Sequence, residues 1–453
     1  MEITTVNSSF IFKNNWILKP NFHMNYGKKR IEKALRNKEQ FSTLGEVTAS
    51  VFTGGIFKRI FVENSEFGFP YISAQHMMNA NPLEVAKCIS KKYTPKLEEM
   101  TLKENQILVS CAGTVGNIKL ITKDLTEVVG SQDIIRINAD NSKIPYGYLY
   151  AYLSTKTAYN YIQSFIYGSV VPRIEPNTLS LLPIPLLPKV KQEQIHQLII
   201  EASALRVEAN KLLKEAVELF ESKLPKIKNN LCYVTSIKNR IDHNLRIEAT
   251  YNSKEIDDFY NSLLDRNIKL ISISDLSEKV FTPNIFKRIR ANNPINGVPY
   301  YSGAELLNQF PNSQSYLSKK MPNIENYILK ENWLAIQDAG TIGYVTYVHG
   351  FLNGVSATNN LIRIVPKKNE MNSYIYTFLK TKAGQSLLKY LEFGSVQKHI
   401  DNHQISNMKI PLIDDIIDFI KDNTKTSMKN LALACDKENQ AINLIEKEID
   451  AWQ

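Results

Sequence analysis

The segment Val51-Phe-Thr-Gly-Gly-Ile-Phe-Lys-Arg-Ile60 recurs almost unchanged as Val280-Phe-Thr-Pro-Asn-Ile-Phe-Lys-Arg-Ile289, 229 residues further along the chain. The match continues in the same order through later segments, with small changes of offset where loops differ in length. Further pairs are Gly113-Thr-Val-Gly116 with Gly340-Thr-Ile-Gly343, Ile134-Ile-Arg-Ile137 with Leu361-Ile-Arg-Ile364, and Gly168-Ser-Val170 with Gly394-Ser-Val396. Two copies, each long enough for a domain, indicate a tandem domain duplication and not a solenoid of short repeats.

Composition and length agree with two globular domains that have a polyanionic partner. The 453 residues carry 55 Lys and Arg against 45 Asp and Glu, and this net charge of +10 favours nucleic acid. No apolar run is long enough to span a membrane, and no secretory signal is indicated, so we expect a cytoplasmic protein. The four cysteines, Cys88, Cys111, Cys232 and Cys435, lie far apart and are interpreted as reduced thiols.

Each copy alternates short β-rich segments with helical ones. Strands of a mixed, curled sheet are predicted at 106–110, 117–122 and 133–138, and at 333–337, 344–348 and 360–365 in the second copy. Residues 148–165 and 374–393 have apolar residues at helical spacing and predict one amphipathic helix in each copy. The predicted fold class is therefore mixed α/β (α+β).

A heptad pattern follows each copy. Residues 191–222 contain no Gly or Pro, and their apolar positions alternate at intervals of three and four. The predicted seams are Ile195, Leu198, Ala202, Leu205, Ala209, Leu212, Ala216 and Leu219 in the first helix, and Met428, Leu431, Cys435, Ile442, Ile445 and Ile449 in the second, where Glu438 is the one polar exception. We expect the two long helices to pair as an antiparallel coiled coil; the alternative is that each folds back on its own domain.

These features resemble the specificity subunits of type I restriction-modification systems. The resemblance rests on Cys111-Ala-Gly-Thr-Val-Gly116, Asp338-Ala-Gly-Thr-Ile-Gly343 and the two Gly-Ser-Val turns, and above all on Leu182-Pro-Ile-Pro-Leu-Leu-Pro188 followed by Gln192-Glu-Gln-Ile195. The second copy departs from the last motif, because Lys409-Ile-Pro-Leu412 keeps one proline and leads into Asp414-Asp415 without a glutamine. The start of the second helix is therefore open.

The resemblance implies a particular layout. Residues 1–190 and 233–412 are expected to form two target-recognition domains, and residues 191–232 and 413–453 two spacer helices. Each domain is expected to read one half of a bipartite asymmetric site in double-stranded DNA. The chain would bridge two methyltransferase subunits, which bind S-adenosylmethionine, and recruit nuclease/translocase subunits, which use ATP and Mg. The chain itself is expected to bind no cofactor or metal and to have no catalytic residues.

The absence of catalytic motifs agrees with this expectation. The sequence has no Pro-Pro-aromatic tetrapeptide of amino-methyltransferases, no Walker motif and no carboxylate–lysine nuclease cluster. The two glycine motifs lack the spacing of nucleotide-binding loops and are interpreted as tight turns. His399 and His403 have one-turn spacing, but their counterparts Arg173 and Asn177 do not bind metals, so no metal site is predicted.

The duplicated cations are the strongest candidates for DNA contact. Lys58, Arg59, Lys287 and Arg288 suit phosphate oxygens, and their loops begin at Thr53 and Thr282. Because both copies share them, we expect them to position DNA and not to specify sequence; the alternative is a solvated basic turn.

Base reading is expected where the copies diverge, as at Gln75 or at Arg173 against His399. The other predicted DNA-contacting residues are Thr114, Ser169, Ser302, Thr341, Ser395, Gln397 and Lys398. The predicted partner-binding positions on the helices are Ile195, Leu198, Leu205, Leu212, Leu219, Met428, Leu431, Ile442 and Ile445.

Three other functions remain open on the sequence alone. The chain could be the separate recognition subunit of a type II system, a duplicated α/β nucleic-acid enzyme with a site between the copies, or a coiled-coil scaffold. Activity of the isolated chain would favour the enzyme, and a lack of salt-dependent DNA binding would favour the scaffold.

Overall fold

The structure is a computed structural model of the chain. It describes residues 18–227 and 253–453 apart from Lys38, Asn64, Gln314, Thr341 and Lys368, together with the isolated positions Thr5, Val6, Ser8, Ile11 and Tyr251. Cys232 and Thr341, both singled out above, lie outside the described residues.

The chain divides into two compact units. Unit 1 comprises Met1–Val207 and Ala434–Gln453, and unit 2 comprises Glu208–Leu433. These boundaries differ from the domain limits expected from the sequence, because the division falls within both long helices. Each helix contributes one half to each unit, so each unit contains a globular domain and a segment of paired helices.

Unit 1 contains three small sheets. The first has four antiparallel strands in the order β2-β9-β6-β7, the second has four strands in the order β3-β5-β4-β8, and β1 pairs with β10. The strands are β1 (Phe41–Thr43), β2 (Thr48–Thr53), β3 (Phe61–Val62), β4 (Gly68–Ile72), β5 (Lys87–Ser90), β6 (Ile107–Ser110), β7 (Ile118–Leu120), β8 (Val129–Gly130), β9 (Ile134–Ala139) and β10 (Pro183–Pro185).

Helices pack around the sheets of unit 1. They are α1 (Pro20–His23), α2 (Tyr26–Arg36), α3 (Leu44–Val47), α4 (Leu97–Met100), α5 (Tyr146–Leu153), α6 (Lys156–Ser164), α7 (Pro176–Leu179) and the first half of α8 (Lys189–Lys223). Short 3₁₀ turns lie at Ser65–Phe67, His76–Met78, Pro82–Glu84 and Lys123–Leu125. The core joins the inner face of the first sheet, with Ile107, Val109 and Ile135, to Tyr148 and Tyr152 of α5.

Unit 2 repeats this architecture. Its sheets have the orders β12-β19-β16-β17, β13-β15-β14-β18 and β11-β20. The strands are β11 (Lys269–Ser272), β12 (Ser277–Phe281), β13 (Arg290–Ala291), β14 (Gly297–Tyr301), β15 (Tyr316–Ser318), β16 (Leu334–Gln337), β17 (Val345–Tyr347), β18 (Ser356–Ala357), β19 (Leu361–Pro366) and β20 (Lys409–Leu412). The helices are α9 (Lys254–Asp265), α10 (Ile273–Leu276), α11 (Gly303–Leu306), α12 (Asn369–Lys380), α13 (Lys382–Tyr390), α14 (Asn402–Asn407) and α15 (Ile417–Ala451), with 3₁₀ turns at Ile324–Tyr327, Gly350–Leu352 and Asp414–Ile416.

The six predicted strands are confirmed as β6, β7, β9, β16, β17 and β19, but the prediction of one amphipathic helix after them is wrong in both copies. Each predicted helix is two. Thr155 and Thr381 have extended backbones, and their side chains accept hydrogen bonds from the backbone N–H of Ala158 and Gly384. A threonine that caps a new helix in this way ends the previous one.

The two long helices pack together antiparallel, as predicted. In unit 1, Lys191 of α8 pairs with Glu448 of α15 at 2.6 Å, whereas in unit 2 Lys223 pairs with Asp415 at 2.6 Å. Both helices are 35 residues long.

Half of the predicted seam is displaced by one residue. The first helix buries Ile195, Ile199, Ala202, Arg206, Ala209, Ala216 and Phe220, whereas Leu198, Leu205, Leu212 and Leu219 are half-buried. In each unit the globular part packs on the side of the seam where these buried residues lie, and this contact cannot be read from the heptad pattern. None of the described helices is both long enough and apolar enough to cross a membrane.

Candidate nucleic-acid interface

Three connections of unit 1 emerge at one end of its first sheet. Thr53, the last residue of β2, pairs with Ile135, and Ser110, the last residue of β6, pairs with Ile134. Because the strands are antiparallel, the loops after β2 and β6 and the segment before β9 lie at the same edge. We call this edge the loop end of unit 1.

The Gly-Ser-Val turn joins the loop end from another part of the chain. Tyr167 and Arg173 exchange backbone hydrogen bonds of 2.9 Å that close this turn, and the Gly113 N–H donates to the Pro172 carbonyl at 3.1 Å. Gly168 has φ of +87°, and a Cβ there would lie 2.5 Å from the Val171 carbonyl oxygen. Only glycine fits this position. The turn therefore holds Ser169 and Arg173 beside the loop of Thr114.

Unit 2 builds the same loop end. Phe281 pairs with Arg363 and Gln337 pairs with Leu361, so the loops after β12 and β16 share an edge. The Ile400 N–H donates to the Asp338 carbonyl at 3.1 Å, and Gly394 has φ of +96°. These contacts place Ser395 and His399 beside the loop that begins at Asp338.

A fully buried arginine pins each loop end. The Arg136 guanidinium donates to the carbonyls of Gly130 at 2.8 Å and Ile134 at 3.1 Å, and Arg363 donates to those of Leu361 at 3.1 Å and Thr358 at 3.2 Å. Burial lowers the pKa of each guanidinium to about 10. These arginines align between the two copies, but no role was predicted for them from the sequence. The feature of the sequence that could have identified them is a cation within an otherwise apolar strand in both copies.

The duplicated cations lie on exposed loops. Lys58 and Lys287 are exposed, and no ion pair is formed by either within the described part of the chain. Arg59 donates to the Tyr71 hydroxyl at 3.4 Å, and Arg288 donates to the Tyr300 hydroxyl at 2.8 Å. An arginine held by a tyrosine of β4 or β14 keeps its other N–H groups available for an anion.

The remaining predicted DNA-contacting residues differ in availability. Those with exposed side chains are Gln75, Thr114, Ser169, Arg173, Ser395, Gln397 and Lys398, whereas Thr53, Thr282 and His399 are half-buried. Gln75 follows β4, whose last residue Ile72 accepts a hydrogen bond from Ser131 near the loop end. Ser302 is half-buried and caps α11 through reciprocal hydrogen bonds with Glu305, so its hydroxyl is already engaged.

The two loop ends differ at Cys111 and its counterpart Asp338. Burial raises the pKa of the Cys111 thiol to about 11, so this group stays neutral. Burial also raises the pKa of the Asp338 carboxyl, while the nearby His399 opposes the shift. Oδ1 of Asp338 makes no hydrogen bond to any described residue. Unit 2 therefore has a titratable, incompletely satisfied carboxyl where unit 1 has a thiol.

The predicted exception in the second seam, Glu438, belongs to a buried polar cluster in unit 1. It forms an ion pair with Arg206 of α8 and accepts a hydrogen bond from the Tyr150 hydroxyl. Burial and this carboxylate raise the pKa of Tyr150 well above its ordinary value, which keeps the hydroxyl a donor. Lys119 lies close by and donates to the Asn79 carbonyl at 3.1 Å; burial and then Arg206 lower its pKa to about 7.

The predicted partner-binding positions fall into two groups. Met428, Ile442 and Ile445 are buried in the seam, as is Ile195, whereas Leu431 is half-buried together with the four leucines of α8. Of these predicted positions, only the half-buried ones leave part of their apolar side chains accessible to solvent. Within the described residues, no group of three or more His, Cys, Asp or Glu side chains is arranged to hold a metal ion.

Comparisons with known proteins place the chain in a family. The sequence model of the "Type I restriction modification DNA specificity domain" matches residues 37–219 and 266–415, more than half of the chain and one segment for each copy. A search of curated proteins found no match.

Solved structures of type I specificity subunits are also similar. One is the S subunit from M. genitalium, at 16% identity over 92% of this chain and 94% of that chain, with a TM-score of 0.30. Another is the HsdS subunit from Thermoanaerobacter tengcongensis, at 13% identity over 91% and 96%, with a TM-score of 0.29. The assignment rests on the family's sequence model, which matches both copies. The chain belongs to the type I restriction-modification DNA specificity family.

Proposed function

We propose that this chain is the non-catalytic recognition subunit of a type I complex and reads a bipartite, asymmetric site in double-stranded DNA. Each unit reads one half of the site through its loop end. The observation that carries the proposal is the duplicated loop end, which presents the same two cations in both copies and different polar side chains beside them. Shared cations suit the phosphates common to all sequences, and divergent side chains suit two different half-sites.

The partners follow from this role. The chain bridges two methyltransferase subunits, which supply the S-adenosylmethionine site, and recruits nuclease/translocase subunits that use ATP and Mg in the cytoplasm. The half-buried leucines Leu198, Leu205, Leu212 and Leu219 support docking along the helices, because they leave apolar surface exposed beside the closed seam. The domain limits at residues 190, 232 and 412 stay proposals.

The helices also act as a ruler for the gap between the half-sites. One heptad inserted after Ala209, matched by one after Cys435, keeps the seam and lengthens the rod by about 10 Å, or roughly three base pairs. Both half-sites should survive while the gap grows. An unchanged gap in an active doubly extended variant would show that the helices do not set the spacing between the half-sites.

Methylation mapping tests the proposed function. The chain is co-expressed with a methyltransferase subunit of the same system in a host that lacks adenine methylation, and methylated adenines are mapped across the genome. We expect one bipartite motif with a fixed gap. The control is the chain alone with S-adenosylmethionine, which should transfer no methyl groups. Methyl transfer by the isolated chain, or the same methylated sites without this chain, would overturn the proposal.

A further inference from the structure

The most exposed large hydrophobic side chains of the described chain occur at duplicated positions. Val396 is 100% exposed, Val170 91%, Ile56 89% and Ile285 88%, and no other large hydrophobic residue in the described ranges is as exposed. Ile56 is the counterpart of Ile285, and Val170 is the counterpart of Val396. A single exposed aliphatic residue carries little information. Here both units expose the same two apolar positions.

The backbone holds these four residues outward. The residue after each isoleucine packs inward: Phe57 joins a cluster with Tyr71 and Met100, and the ring centroid of Phe286 lies 3.8 Å from that of Tyr327. The valines follow Gly168 and Gly394, whose positive φ values fix the two turns. The isoleucines are therefore held out by an anchored neighbour, and the valines by a closed turn.

We call Ile56, Val170, Ile285 and Val396 the apolar tips. Each apolar tip has a cation within three residues. Lys58 and Arg59 follow Ile56, and Lys287 and Arg288 follow Ile285 in the same way. Arg173 follows Val170, and Lys398 follows Val396. All four tips belong to connections of the two loop ends. Phosphates line the edges of each DNA groove. A cation that binds such a phosphate therefore brings an apolar side chain next to it in the sequence close to the groove.

We propose that Ile56, Val170, Ile285 and Val396 enter a groove of the bound duplex and become buried against the bases. This inference rests on the proposed DNA-binding function and adds the mode of contact. Aliphatic side chains contact thymine methyl groups in the major groove and wedge between base steps in the minor groove, so both grooves offer apolar partners.

The form of the tips favours DNA over a membrane or a protein. Membrane-surface segments are amphipathic helices rich in Trp, Phe and Leu, whereas these tips are single β-branched residues on separate loops. A protein partner needs a contiguous apolar patch, whereas each of these four residues has an exposed cation, Lys58, Lys287, Arg173 or Lys398, within three residues.

The test compares salt dependence. The complex with the methyltransferase carries Ile56→Ser and Ile285→Ser together, and its Kd is measured over a salt series with a duplex that contains the mapped site. We expect about tenfold weaker binding per isoleucine at every salt concentration, because an apolar contact releases no counterions. Lys58→Ala with Lys287→Ala should instead flatten the salt dependence. The valines are tested by Val170→Ser with Val396→Ser.

A matched control is Leu181→Ser, since Leu181 is 64% exposed but lies in the turn before β10, away from these loops. It should leave the Kd unchanged. Unfolding curves of all variants should match the unsubstituted chain, because the replaced side chains make no buried contacts.

Three outcomes overturn the inference. The first is a Kd of the serine variants within about twofold of the unsubstituted complex, although that complex binds its site. The second is unchanged DNA affinity with loss of binding to phosphatidylglycerol vesicles. The third is loss of the methyltransferase from the purified complex. Failure of the unsubstituted complex to bind or methylate DNA is a different result, because it contradicts the proposed function itself.

Discussion

At the loop end of unit 1 Cys111 and Arg173 lie side by side, whereas unit 2 places Asp338 and His399 at the corresponding positions. The frame around them is similar: Arg136 and Arg363 each donate to the carbonyls two and five residues before them, and Gly168 and Gly394 form the same turn. The contacts of the long helices also differ. Unit 1 buries the ion pair of Arg206 and Glu438, whereas in unit 2 the hydroxyls of Thr377 and Thr424 are hydrogen-bonded at 2.7 Å. Shared residues build the frame, and divergent ones give each unit its own properties.

The largest difference between the units is expected in the helix contacts. Glu438→Ala leaves Arg206 buried without its partner and should lower the free energy of unfolding by about 3–5 kcal/mol. Thr424→Val in unit 2 removes one neutral hydrogen bond and should cost about 0.5–1.5 kcal/mol. Chemical denaturation measures both.

The combined variant Arg206→Met with Glu438→Leu is the control, because a matched apolar pair should restore most of the loss. Equal losses for Glu438→Ala and Thr424→Val would show that the ion pair gives unit 1 no special stability.

Lys119 should give unit 1 a pH dependence that unit 2 lacks. Its pKa is about 7 in the folded chain, against an ordinary value of 10.5 for a solvated lysine, so between these values only the unfolded chain keeps the proton. Stability should therefore rise with pH across this window, and the cost of the buried charge is fully present below pH 7. The total change should be on the order of a few kcal/mol.

Lys119→Met removes this dependence and should stabilise unit 1 at neutral pH, as denaturation curves from about pH 6.5 to pH 9 can measure. The counterpart of Lys119 is Thr346, and Thr346→Val is the matched control in unit 2. Identical pH profiles for the Lys119→Met variant and the unsubstituted chain would contradict the buried position of this amine.

Much of this comparison was accessible from the sequence, and the rest was not for physical reasons. The duplication, the six strands and the antiparallel helix pair were predicted from the repeated motifs and from the spacing of the apolar residues. The break at Thr155 did not, because a capping threonine in an apolar run leaves the helical spacing intact. The seam was half displaced because a heptad pattern fits two adjacent faces when leucines alternate with alanines, and the domain packed beside it selects one.

At the site, the sequence indicated the exposed loop residues but not the buried arginines. Lys58 and Arg59 stand in a repeated motif, whereas Arg136 has a role only once Gly130 and Ile134 are seen to present their carbonyls to it. Which of the predicted residues contact DNA stays a prediction.

The shared frame predicts equal effects in both units. Arg136→Lys and Arg363→Lys each replace a planar fork with one ammonium and leave buried carbonyls unpaired, so each should cost about 1–3 kcal/mol. The exposed Arg173→Lys is the control and should change stability by less than about 0.5 kcal/mol. If denaturation curves show that only one of the two substitutions lowers the free energy of unfolding, the two arginines do not have equivalent roles.

The smallest effect is expected at Asp338. Because burial raises its pKa, the folded chain keeps this proton at a pH where the unfolded chain has lost it, and stability falls as pH rises from the ordinary value of 3.8 to the raised one. Asp338→Asn should stabilise unit 2 by less than about 1 kcal/mol at pH 7, since solvent screens the half-buried carboxyl.

The gain from Asp338→Asn should disappear below about pH 3, where the carboxyl is protonated in both the folded and the unfolded chain. Cys111→Ser at the equivalent position is the control and should show no pH dependence in this range. A gain that persists at low pH would mean that the charge of Asp338 is not its cause.

The central claim is that each unit reads its own half-site through residues that differ between the copies. The most direct test exchanges the three divergent residues that follow the two Gly-Ser-Val motifs. Gln397→Val, Lys398→Pro and His399→Arg give unit 2 the sequence of unit 1 in a loop of equal length. Mapped methylation should then show one altered half-site, with the other half-site and the gap unchanged. The reciprocal exchange at Val171, Pro172 and Arg173 should alter only the other half. A methylated motif that stays the same in both active exchange variants, or in which both halves change together, would contradict the account.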